Sequence, residues 1–148
     1  MLLMLCVLIQ EHSKMIRTYS ELVKIPTFAE RFKYLKLTGT VGEETFGYDR
    51  YLNQSLYHSD MWRSVRDQVI IRDNGCDLGI DGLEIKGRII IHHMNPVTKE
   101  DILFHSESLL DPEFLICTTI DTHNAIHYGN DSVLEPFIER RPGDTSLW

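Results

Sequence analysis

The chain has 148 residues, 43% of them apolar and 25% charged, which suits one globular domain with a buried core and leaves little room for a second. A net charge of −7 argues against a nucleic-acid binder that works through a broad basic face, although local arginines and a bound cation can still hold a phosphate on an acidic protein. Cys6, Cys76 and Cys117 are odd in number and form no CxxC pair, which speaks against a structural zinc knuckle and for reduced thiols in the cytoplasm.

Residues 1–9 are almost wholly apolar, yet the run is about half the ~20 residues needed to span a bilayer and lacks the flanks of a secretory signal. Two readings remain, a short hydrophobic helix or an apolar extension upstream of a natural start at Met15; the second is favoured for residues 1–14, with no membrane association. Thr18 or Ser20 can cap a short helix through Val23 that Pro26 interrupts, and Thr27 with Glu30 forms a capping-box pattern for a helix through about Leu37. Phe28, Phe32 and Leu35 are its apolar stripe, and Gly39, Gly42 and Gly47 mark a loop. Residues 49–57 and 59–72 read as helices, the second with Met61, Trp62, Val65, Val69 and Ile70 spaced for burial.

Asp73-Asn74-Gly75 and Asp81-Gly82 are turn signals. From Leu83 to His92 the sequence is β-rich, with Lys86-Gly87 as the turn between two short antiparallel strands that Pro96 ends. Residues 99–105 are a short helix or turn, 115–117 an extended piece, and 119–128 a helix stopped by Gly129. The resulting organisation is a helical region over 15–58, a core over 59–131 and a tail over 132–148.

Four of the seven histidines fall in two clusters, His92-His93 at the end of a β-branched run and His123 and His127 four apart on the last helix. Side chains at i and i+4 share one helix face, so a strand and a helix can bring imidazoles to one divalent cation. One histidine of the adjacent pair then binds metal while the other, pointing away, is free to take a proton. His12, His58 and His105 have no such partner and read as surface residues.

The order strand, His-His, loop, strand, and helix with His123-Asn124-Ala125-Ile126-His127 resembles the HNH endonucleases, built on a ββα-metal finger. Upstream, Trp62-Arg63-Ser64-Val65-Arg66 and Arg72-Asp73-Asn74-Gly75-Cys76 are similar to the helix and turn that often precede the finger, so the likeness covers about residues 59–129. Residues 118–127 resemble the closing helix of colicin-type nucleases. The wider chain resembles small HNH proteins of phages, with Gly42-Glu43-Glu44-Thr45-Phe46-Gly47 and Asp111-Pro112-Glu113-Phe114-Leu115-Ile116 as its marks.

The resemblance implies an α+β fold, N-terminal helices followed by the ββα-metal finger, and a DNA endonuclease in a host-cell cytoplasm. It makes His92, His123 and His127 the metal ligands and His93 the general base. The cation would be Mg²⁺, Mn²⁺, Ni²⁺ or Zn²⁺, the partner DNA, and Arg63, Arg66, Arg72 and Arg88 candidate phosphate contacts. A phage accessory or packaging protein using the same fold as a metal-stabilised binding module is the alternative. At the family's spacing Phe114 replaces the middle asparagine, leaving Asn95, Glu113 or backbone groups to brace the histidine loop.

Overall fold

The computed structural model describes residues 15–37 and 50–134. The expected extension over 1–14, the loop carrying Gly39, Gly42 and Gly47, and the tail beyond 134 lie outside the described residues. Two single-sided helices open the described residues. Helix α1 (Tyr19–Leu22) is capped by the Thr18 hydroxyl, which accepts from the Glu21 N–H at 3.3 Å. Helix α2 (Phe28–Leu35) begins at Thr27, whose hydroxyl accepts from the Glu30 N–H and donates to the Glu30 carboxylate at 2.7 Å. Phe32 and Leu35 bury the stripe, and α2 stops short of Leu37 because the Leu37 N–H donates 3.0 Å to the Ile126 carbonyl.

After α3 (Arg50–Tyr57), Ser59 caps α4 (Asp60–Arg72) by accepting from the Trp62 N–H at 3.2 Å. Trp62, Val65 and Val69 form the buried face of α4, whereas Met61 is 66% exposed. Met61 is about 100° around the helix from Trp62, so the burial expected for it fails.

The expected Lys86-Gly87 hairpin is corrected by the pairing. The reversal comes earlier, at Asp81-Gly82, where Gly82 has φ +65° and the Asp81 carboxylate accepts from the Leu83 N–H at 2.9 Å. Residues 83–85 therefore fold back on 75–77: Asp77 N–H donates to the Leu83 carbonyl, Ile85 N–H to the Gly75 carbonyl, and Cys76 bridges Glu84. Strand β1 (Ile90–His93) pairs antiparallel with β2 (Leu115–Thr118), from Ile90 opposite Thr118 to His93 opposite Leu115. The connection between them holds α5 (Lys99–Leu103), which Thr98 and Asp101 close with a reciprocal capping box.

All four residues of β2 are buried, since α4 covers one face and α6 (Ile120–Tyr128) the other. Leu22, Phe32, Leu35, Leu37, Met94, Ile116, Ala125 and Ile126 make the core on the α6 side. Trp62, Val65, Val69, Leu115 and Cys117 make the core on the α4 side, with Ile89 and Ile91 packed against it. The fold is α+β, and β1, β2 and α6 form a ββα-like unit. No described helix is long and apolar enough to cross a membrane.

Two buried carboxylates tie the elements together. The Asp73 carboxylate receives the Arg72 guanidinium at 2.7 Å and the Cys117 N–H at 2.8 Å. The same guanidinium donates to the carbonyls of Pro112 and Leu115, each at 2.6 Å, and lies over the Tyr19 ring. The Asp77 carboxylate accepts from the N–H groups of Gly79 and Thr119 and from the Thr122 hydroxyl, which seats the start of α6. Gly79 belongs there by contact, since a Cβ would stand 2.6 Å from Thr122 Cγ2.

Candidate metal centre

Helix α6 starts where the Thr119 hydroxyl accepts from the Thr122 N–H at 3.1 Å, and it ends at Gly129 in the left-handed region, φ +64°. His123 and His127 therefore lie one turn apart on the same face. His92 and His93 are successive strand residues and point to opposite faces of the hairpin. His92, 1% exposed, turns to α6, where its ring meets those of His123 and His127 with centroids 5.2 and 5.0 Å away.

The structure thus brings His92, His123 and His127 together, with one ligand nitrogen from each lying within 4.8 Å of the others. The Nδ1 atoms of His92 and His123 are 3.2 Å apart. Two imidazole nitrogens bound tetrahedrally at about 2.0–2.1 Å would be separated by about 3.3 Å, so this pair has the spacing of two ligands on one ion. His127 Nδ1 is buried without a hydrogen-bond partner, which costs free energy unless a cation satisfies it; His92 Nε2, also unpartnered, lies on the far side of its ring from Nδ1 and would not be reached by the same ion. The donor set is all imidazole, which suits Zn²⁺, Ni²⁺ and related ions better than Mg²⁺.

Burial also puts these rings in the protonation state a cation needs. It holds His92 well below the ordinary histidine range, with the neighbouring His127, His123 and His93 adding to the effect. His127 is pushed down to about 4 by burial and then by His123, and burial lowers His123 as well. Neutral imidazole presents a lone pair, so little proton competition remains at neutral pH.

A pH dependence of the metal-free protein follows from these directions. In the unfolded chain histidines titrate near 6.5, whereas the folded His93 and His127 take protons only near 4. Between those values the unfolded state binds more protons, so stability is full above about 6.5 and falls as pH drops towards 4. The loss at pH 5 has an upper limit of about 2 kcal/mol for His93 and is smaller for the half-exposed His127, where solvent screens the effect. Urea midpoints of metal-free protein at pH 7.5, 6 and 5 measure it, and a flat profile over that range would contradict the buried neutral cluster.

His93 occupies different surroundings. Its ring is partly buried and stacks on Trp62, with centroids 5.5 Å apart and planes 14° from parallel. Its Nε2 lies 3.1 Å from the Leu109 carbonyl, to which an Nε2–H donates, leaving Nδ1 as the lone-pair nitrogen. Burial pushes it down to about 4, against the opposing pull of the Leu109 carbonyl and Asp101. It opens onto a cavity whose lining includes Leu109 and Phe114 and none of the three clustered histidines.

Of the expected braces for the histidine loop, the backbone serves. Met94 N–H donates 3.0 Å to the Phe114 carbonyl, extending the ladder beyond β1. Asn95 instead pins the N-terminal segment, accepting from the Arg17 N–H and donating to its carbonyl, while Glu113 accepts from the Ser20 N–H. Arg63, 3.0 Å from Asp60, and Arg66, 3.5 Å from Asp67, form ion pairs on α4, and Arg88 is exposed. Arg72 is turned inward to Asp73, Pro112 and Leu115, so its guanidinium serves the fold. His58 and His105 are exposed, as their lack of partners implies.

Sequence patterns do not point to Asp77, Trp62 or the Leu109 carbonyl as parts of this site. The Trp62-to-His93 stack has no local signal, since α4 and β1 meet only through the tertiary fold. Comparisons with protein-family models, with curated proteins and with solved structures found no match to the chain.

Proposed function

We propose that the protein is a metal-dependent HNH-type endonuclease that hydrolyses phosphodiester bonds in DNA. The observation that carries this reading is the convergence of His92 from a β-hairpin with His123 and His127 from the following helix. A divalent cation held by the three would polarise a phosphoryl oxygen and stabilise negative charge on the leaving oxygen. His93 would take the proton from attacking water at Nδ1, with the Leu109 carbonyl holding the tautomer and Trp62 the ring plane. Arg63, Arg66 and Arg88 are the phosphate contacts of this proposal, since exposed ion pairs such as those of Arg63 and Arg66 yield readily to a competing anion.

A second reading draws on the placement of His93 across the hairpin from the metal ligands. In it the metal bolts α6 to β1 and the fold serves as a DNA-binding accessory or packaging module. Nicking of supercoiled plasmid with Mg²⁺, Mn²⁺, Ni²⁺ and Zn²⁺, run beside metal stoichiometry, separates the two. Catalysis requires cleavage that disappears in His123→Ala together with the bound metal. Stoichiometric metal and DNA binding without cleavage under any of these ions would overturn the nuclease and leave the module.

A further inference from the structure

Arg17 belongs to no motif, yet the fold carries it to the side of the hairpin that holds the three clustered histidines. Its backbone is clasped by the Asn95 side chain, three residues beyond His92, which accepts from the Arg17 N–H at 2.8 Å and donates to the Arg17 carbonyl at 2.9 Å. Its partly buried guanidinium donates from Nε to the Tyr34 carbonyl at 2.6 Å and from Nη2 to the Lys36 carbonyl at 3.2 Å. The chain leaving α2 there packs on the end of α6. Leu37 N–H donates to the Ile126 carbonyl, and the Lys36 side chain lies so close to Gly129 that a Cβ would stand 2.9 Å from Lys36 Cε. Arg17 is thus held between the ends of β1 and α6, the elements that supply His92 and His127, and its charge reaches His92, adding to the effects that keep that ring neutral.

No negative group answers this charge. Among the described residues Arg17 forms no ion pair: its side chain meets two carbonyl oxygens, and Nη1 makes no hydrogen bond. The charges acting on His92 are those of His127, His123, His93 and Arg17, with no carboxylate among them. Three neutral imidazoles leave a divalent cation its full charge, and three protein ligands leave a coordination position open. Such a cation and a guanidinium on the same side of the hairpin repel each other unless an anion joins them. A phosphate group has the oxygens to meet both, and arginine is the side chain best suited to it. Arg63 and Arg66 stand on α4, across β2 from α6, so they serve other phosphates of the same strand or duplex.

We propose that Arg17, presented by Asn95, binds together with the metal one backbone phosphate of the nucleic acid. The inference rests on the proposed metal site and on nucleic acid being the partner, in either form of the proposed function. In it Arg17 is a binding residue and Asn95 a positioning residue.

The test uses full-length protein, zinc-loaded and metal-free, titrated with inorganic phosphate and then with a short DNA duplex. The readout is the Nε–H resonance of Arg17 in nitrogen-15 NMR spectra, assigned by its absence from Arg17→Lys. With zinc bound, phosphate should shift this resonance saturably at about millimolar Kd, and the metal-free protein should bind at least ten-fold more weakly. DNA should displace the phosphate and move the same resonance. Arg17→Met should weaken phosphate binding ten-fold or more, and Arg17→Lys, which keeps the charge, by less. Zinc affinity in both variants, measured by chelator competition, should stay within about three-fold of the parent. If the methionine variant fails to fold, the Arg17 resonance of the parent decides alone.

An unmoved Arg17 resonance at 10 mM phosphate (~ten times the expected Kd), equal binding without zinc, or an unaltered phosphate Kd in Arg17→Met would each overturn the inference. Phosphate affinity lost only together with zinc would assign Arg17 to the fold and overturn it too, as would DNA that leaves the resonance in place. Nicking on the same samples keeps the claims apart. Phosphate and DNA bound at Arg17 without nicking removes the catalytic reading alone, and nicking with an unmoved Arg17 resonance removes this inference alone.

Discussion

His93→Ala is expected to lower plasmid nicking about 10²–10⁴-fold, the usual contribution of a positioned general base, while the metal stays bound. The two effects separate because His93 lies on the opposite face of β1 from His92 and contributes no nitrogen to the three-imidazole cluster. In the proposed mechanism loss of the ring removes the proton acceptor and leaves the cluster's donor set intact. Metal affinity measured by competition with a chromogenic chelator should therefore change by less than about three-fold, well under the tenfold that 1.4 kcal/mol represents. Added free imidazole should restore part of the rate in the space the side chain vacates, which a merely destabilised protein would not show. Cleavage that persists unchanged in this variant would remove His93 from the mechanism.

Arg72→Met is expected to cost about 3–5 kcal/mol of folding stability, because it breaks a buried ion pair from one side. The Asp73 side chain has no exposed surface and would keep only the Cys117 N–H, while the Pro112 and Leu115 carbonyls would lose their charged donor. Lysine should not restore the loss, since one ammonium on a shorter reach cannot serve two carbonyls and a carboxylate in the fork geometry of a guanidinium. Urea denaturation of Arg72→Met, Asp73→Ala and the double variant measures the coupling, and the double variant should be less unstable than the sum of the singles. A cost below about 1 kcal/mol for Arg72→Met would show that the clamp does not hold β2. Because Arg72 is turned inward, the DNA binding proposed for the protein should be unchanged in the folded fraction of this variant.

Much of the site is legible in the chain, for a physical reason that the caps illustrate. Thr18, Thr27, Ser59, Thr98 and Thr119 each satisfy the N–H three residues ahead, so helix starts follow from short-range hydrogen bonding. The spacing of His123 and His127 converts directly into one helix face, and Gly129 ends that helix through its left-handed backbone. The strand partner is another matter. Lys86-Gly87 looks like a turn locally, but Asp81-Gly82 closes first and leaves β1 to find β2 beyond α5, a choice settled by burying Leu115, Ile116 and Cys117 between two helices. Met61 fails for a related reason, since only the position of β2 decides which arc of α4 is covered.

Residue identity and spacing were enough to single out four histidines, to put two on one helix face and two at a strand's end, and to start the helices where their caps stand. Those features depend on atoms a few residues apart. Which histidine of the adjacent pair turns to α6, which carbonyl steadies the other, and that Arg72 and Asp73 clamp β2 while Asp77 seats α6, follow from contacts between segments about 15–45 residues apart. Long-range contacts of this kind form only when burial of both cores repays the entropy of closing the intervening loops, and no local pattern records that balance.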